Sequence, residues 1–230
     1  MATNPMSPVR WMVVVAMAGL VTGPAISQDQ SAPEIQEEPP PRKSVAFRDS
    51  GQRLGGDIPT SSVALGDLNG DGYVDAWILN WNWRHASTVW MNNGEGRFTD
   101  SGQKLGGGSR KTVVLGDLDR DGDLDAFVTS YDWRRDGDQS NIIWINDGSG
   151  VFTKSPQALG NSYSLGVALG DLDGDGDLDA WIANGGTPQP NRVWINDGTG
   201  TFSDSGQLLG EENSRTVALG DLDGDGDLDA

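Results

Sequence analysis

After residue 44 the apolar residues fall in short runs, and none recurs at the 3.6-residue period of an amphipathic helix. Four kinds of run alternate. The first, "SVALGD" or "KTVVLGD", is β-branched and ends at an acidic stretch. The second follows that stretch as "DAWILN", "DAFVTS" or "DAWIAN". The third is "TVWMN", "NIIWIN" or "RVWIN", and it meets "NGEG", "DGSG" or "DGTG", where Asn/Asp-Gly is hairpin-turn chemistry. The fourth is "RFTDSGQ", "VFTKSPQ" or "TFSDSGQ". Four antiparallel strands are therefore predicted in each unit.

The units are periodic. Asp67, Asp117, Asp171 and Asp221 open the acidic stretches at spacings of 50, 54 and 50. Trp77, Phe127 and Trp181 lie 10 residues after these aspartates, Trp90, Trp144 and Trp194 lie 23, 27 and 23 after, and Phe98, Phe152 and Phe202 lie 31, 35 and 31 after. The four extra residues of the second unit thus fall in one grown loop, and the framework keeps its register. Four strands per ~50 residues match a blade of a β-propeller. The expected fold is all-β, with blades at about 60–107, 108–161 and 162–211 and a partial one at 212–230.

Small residues in the first strand (Ala64, Gly66, Ala168, Gly170, Ala218, Gly220) fit an innermost strand crowded by its neighbours. "FRDSGQRLGG", Phe47 to Gly56, repeats the pattern of a fourth strand before any first strand occurs. It is expected to supply the outer strand of the last blade and so pair two open edges. Three complete blades and a fourth that stops after its acidic loop fall short of a ring, which leads to the expectation of a fragment.

The acidic stretches share the pattern D-x-[DN]-x-D-G-x-x-D. Alternate side chains at positions 1, 3 and 5 converge, Gly at position 6 permits the wrapping turn, position 7 offers a carbonyl and position 9 a further carboxylate. An all-oxygen cage of this kind suits Ca2+ before Mg2+. The candidate ligands in the first loop are Asp67, Asn69, Asp71, Tyr73 (carbonyl) and Asp75, and in the second Asp117, Asp119, Asp121, Asp123 (carbonyl) and Asp125. The third offers Asp171, Asp173, Asp175, Asp177 (carbonyl) and Asp179, and the fourth Asp221, Asp223, Asp225, Asp227 (carbonyl) and Asp229. One Ca2+ per loop, up to four, is expected. An EF-hand is excluded because its position-12 Glu is replaced by Ile78, Val128 and Ile182. A dockerin would place helices after the loops, and nonapeptide calcium repeats have a different period.

"SVALGDLNGDGYVDAWI" and "GVALGDLDGDGDLDAWI" resemble the FG-GAP/VCBS repeat family, the calcium-bearing blade also found in integrin α subunits. The resemblance covers about residues 45–230, although "LNW", "TSY" and "ANG" stand where the family's Gly-Ala-Pro would be. It implies a propeller whose loop calcium is structural.

Composition adds the setting. Arg10, the apolar run of 12 residues "WMVVVAMAGLVT" and the small residues Ala25 and Ser27 read as a signal peptide over 1–27, cleaved before Gln28. The run is shorter than the ~20 residues of a membrane span. Residues 28–44, rich in Pro, Gln and Glu, read as a disordered linker before the repeats at 45–230. The chain is therefore expected outside the cell or in the cell envelope, without membrane insertion after cleavage. It has no cysteine, so no disulfide supports the fold. A net charge of -18 argues against a nucleic-acid partner and for cations.

Antiparallel strands put the acidic loops on one face and the two–three and four–one loops on the other. On that second face "WNWRH" (Trp81, Trp83, Arg84, His85) is matched by "YDWRR" (Tyr131, Trp133, Arg134, Arg135), a composition typical of binding hot spots. The expected function is a non-enzymatic extracellular binding or adhesion module for a protein or carbohydrate ligand. The alternatives are a propeller-type lyase or hydrolase, or a scaffold for a C-terminal catalytic domain. One histidine and no cysteine leave little for acid–base or nucleophilic chemistry.

Overall fold

The computed structural model describes residues 48–81, 84–131, 140–186 and 188–230. Residues 1–27 and 28–44, expected as signal peptide and linker, and Phe47, Trp83, Trp133, Arg134 and Arg135 lie outside the described residues. Among the described residues all regular structure is β. The first sheet comprises β1 (Thr60–Gly66), β2 (Asp75–Asn80), β3 (Thr88–Asn92) and β4 (Phe98–Asp100). The second holds β5 (Arg110–Gly116), β6 (Asp125–Ser130), β7 (Ile142–Asn146) and β8 (Phe152–Lys154). The third holds β9 (Ser164–Gly170), β10 (Asp179–Asn184), β11 (Arg192–Asn196) and β12 (Phe202–Asp204). Each sheet is antiparallel and ordered as in sequence, and the three propeller-like blades do not close a ring. The fourth repeat contributes an acidic loop closed by a bridge between Gly220 and Asp229.

The second strand of each blade shows why these runs are strands without alternation. β6 is buried at every position because its sheet lies between two others, and β2, whose sheet has the second blade on one face, is buried throughout with the Gly55 segment lying against Ile78. Trp77 in β2 is fully buried and packs edge-on against Phe152 of the next blade, with centroids 4.7 Å apart. Phe127 meets Phe202 of the third blade in the same way at 5.8 Å. The periodic aromatics of the sequence are therefore contacts between blades.

Glycine ends each innermost strand for a steric reason. A Cβ on Gly66 would lie 2.5 Å from Leu124 Cδ1, and one on Gly116 would lie 2.8 Å from Leu178 Cδ1, in each case a leucine of the next blade's acidic loop. The leucine side chains can lie against these strand ends because those positions carry no side chain.

The fourth strands are shorter than expected, three residues each. Beyond Asp100 the chain bends at Gly102 (φ 80°) and leaves the sheet, and Gln103 turns to the next blade. Its Nε2 donates to the Gly150 carbonyl at 2.6 Å, and its Oε1 accepts from Phe152 N at 2.9 Å. Gln157 holds Gly200 and Phe202 of the third blade identically. Gln52 does the same to Gly96 and Phe98, although Arg48–Gly51 form no strand. The segment expected as a closing strand thus reaches the first blade through a side-chain clamp.

Candidate metal-binding loops

The acidic loops sit between the first and second strand of each repeat and repeat their hydrogen bonds almost atom for atom. The position-1 carboxylate accepts from the position-6 glycine: Gly72 N to Asp67 at 2.7 Å, Gly122 N to Asp117 at 3.1 Å, Gly176 N to Asp171 at 3.0 Å and Gly226 N to Asp221 at 3.2 Å. The position-5 carboxylate accepts from the position-7 amide at 2.9 Å in all four loops. Gly72 and Gly122, with φ of 85° and 96°, take the left-handed turn that makes this wrapping possible.

Position 9 is built differently. Asp75, Asp125 and Asp179 are fully buried, and each binds two backbone amides. Asp125 Oδ2 accepts from Leu118 N at 2.9 Å and its Oδ1 from Asn146 N at 2.8 Å, tying the loop to β7. Asp75 joins Leu68 to Asn92, and Asp179 joins Leu172 to Asn196. Asn146 carries the linkage onward, donating from Nδ2 to the Leu68 carbonyl of the preceding loop at 2.9 Å, and Asn196 reaches Leu118 at 2.8 Å. The loops are held to one another through these asparagines.

With the backbone donors on the outside, carboxylates gather inside. One oxygen each from Asp117, Asp119 and Asp125 lie within 4.8 Å of one another, and so do those of Asp171, Asp173 and Asp179 and of Asp221, Asp223 and Asp225. These three triads are close enough to hold a metal ion. The first loop, with Asn69 at position 3, has no such triad among the described residues.

The electrostatic cost of this gathering is visible in the second loop. Burial pushes Asp125 up to about 6, against amide donations from Asn146 and Leu118 that lower it, and Asp119 and Asp121 raise it further. Burial likewise raises Asp75, Asp179 and, with Asp121 beside it, Asp119. Asp117 Oδ1 is buried and accepts no hydrogen bond among the described residues. A buried acceptor without a donor is unfavourable, and a hard divalent cation is the partner that such an oxygen set fits.

The residues expected on the opposite face divide. Trp81, 56% exposed, and Tyr131 line a cavity of about 430 Å3, whereas His85 lines a separate cavity of about 310 Å3 with Asn80, Trp90 and Lys104. Arg84 is exposed. Tyr131 stacks at a tilt on Tyr163, with centroids 5.4 Å apart. Sequence reasoning missed the glutamine clamps, the β3-type asparagines and Arg120. For the clamps the signal was present, since Gln52, Gln103, Gln157 and Gln207 recur with the period of the loops.

Stacked four-stranded blades, each with an acidic loop between its first two strands, define a propeller-type repeat protein. The chain matches the FG-GAP-like repeat family over residues 67–128, 117–182 and 171–230, and it belongs to that family. A comparison with curated proteins gave no match.

Proposed function

We propose that the protein is a secreted calcium-stabilised propeller module that binds an extracellular protein or carbohydrate and carries out no catalysis. The observation that carries the calcium reading is the buried, donor-less Asp117 Oδ1 beside Asp119 and Asp125. Calcium held there would supply the positive charge that lets these buried carboxylates ionise together. Asp117, Asp119 and Asp121 would hold it with the Asp123 carbonyl and Asp125, and the other loops follow the same positions. Because position 9 also grips two strands, the ion would brace the blade in a fold without disulfides.

Export rests on the signal-peptide pattern of residues 1–27, and the binding role on the typical use of the family as binding and adhesion modules. Thermal unfolding with calcium and then with excess chelator tests the reading. A midpoint at least about 10 °C lower in chelator is expected, in line with ligand linkage. An unchanged midpoint would sink it.

A further inference from the structure

The cavity beside Trp81 departs in charge from the rest of the chain. Acidic residues outnumber basic ones 34 to 16, yet among the described residues the lining contains Lys111 and Arg215 and no acidic residue. Neither side chain makes an ion pair or hydrogen bond among the described residues. They stand at the same register, six residues before Asp117 and Asp221, on the segments that enter the second and fourth acidic loops. Trp81 and Tyr131 occupy equivalent places after β2 and β6. Their amides bond back to the four–one loops, Trp81 N to Pro59 O and Tyr131 N to Ser109 O, both at 2.9 Å. The site thus draws its two cations and two aromatics from three repeats, with Lys111 on β5, Trp81 and Tyr131 just after β2 and β6, and Arg215 on the segment before the fourth acidic loop.

We infer that this cavity binds a carboxylated sugar, a hexuronate residue of an anionic glycan. Lys111 and Arg215 would take the carboxylate, and the exposed ring of Trp81 would lie against the sugar face. The volume sits at the small end of the range of about 300–1,000 Å3 for ligand sites, which suits one or two sugar rings. In a chain of charge -18, an anion is held only where local cations overcome the general repulsion, and this lining does so. The inference rests on the binding-module reading and adds the ligand's chemical class to it.

The test is calorimetric titration of the full chain, in calcium, with a dihexuronate, with its neutral dihexose counterpart and with an acidic peptide. The dihexuronate binds, the dihexose binds at least about tenfold more weakly, and Lys111→Ala and Arg215→Ala each reduce the dihexuronate affinity about tenfold or more. Trp81→Ala weakens both sugars. The unfolding midpoint in calcium serves as the folding control for each variant. Equal affinity for the two sugars, no binding of either, preference for an acidic peptide, or a Lys111→Ala/Arg215→Ala double variant with unaltered affinity overturns the inference. None of those outcomes touches the chelation-dependent midpoint, which tests the calcium module separately.

Discussion

Arg120, at position 4 of the second acidic loop, pairs through Nε with the carboxylate of Asp177 in the third loop, and its Nη2 donates to the Asp175 carbonyl at 3.1 Å. It does so from a left-handed backbone (φ 62°), which Gly70, Gly174 and Gly224 supply in the other loops. A non-glycine residue there costs about 1–2 kcal/mol, so the cross-loop contact offsets a local strain. Burial raises Asp177 even with Arg120 beside it.

Arg120→Gly therefore has two opposed effects, relief of strain and loss of the cation over Asp177. In chelator the loss dominates, and the unfolding midpoint falls by about 2–4 °C. In calcium the difference shrinks, because the bound ion compensates the third loop. Paired melts of wild type and variant, each with and without calcium, check this.

Gln103→Ala removes both clamp bonds and leaves Phe152 N–H unpaired, lowering stability by about 1–3 kcal/mol. Urea unfolding measures it. Lys104→Ala next door breaks only an exposed ion pair with Asp100 and serves as the control, within about 0.5 kcal/mol of wild type.

Gly116→Ala isolates the crowding at the end of an innermost strand. Its backbone is not left-handed, so the cost comes from a methyl driven toward Leu178 and Leu169. A loss of about 1–3 kcal/mol in the same urea assay is expected.

These three sites also mark how far the sequence could be read. The strands of the second and third kind were legible to within a residue, because they are short apolar runs pinned between an acidic turn and an Asn/Asp-Gly turn. The acidic loops were legible because their geometry is local. β4, β8 and β12 came out shorter: after β4 and β8, Gln103 and Gln157 turn toward another blade, a relation between units that no single run displays, and β12 stops at the same length before the turn at Gly206 (φ 78°). Arg120 was unreadable for the same reason, because its partner lies in the next loop. Trp81 and His85 share a segment of five residues yet face separate cavities. Strand order alone assigned them one face and could not divide it.

The raised aspartates set the pH dependence of the metal-free protein. Asp125 is pushed from 3.8 up to about 6, so between those values the folded state holds more protons than the unfolded one. Stability from this group is complete below about 4 and is lost as pH rises through about 6. Asp75, Asp119 and Asp179 act in the same direction. The exposed turn residues Asp147 and Asp197 are lowered by Ser149 and Thr199 and act weakly in the opposite direction. In chelator the midpoint should fall as pH rises from about 4 to about 7, across the interval in which Asp125 loses its proton in the folded state. In calcium it should rise over the same span, since coordination needs the carboxylates ionised. A parallel pH trend in both conditions would separate the loops from metal binding.

The most direct test is calorimetric titration of calcium into the chelator-treated chain, alongside an Asp117→Asn/Asp119→Asn variant. Several ions should bind, up to one for each of the four loops, and the variant should lose one of them. No binding heat at millimolar calcium, or the same number of ions bound by the variant, would contradict the assignment of the acidic loops as calcium sites.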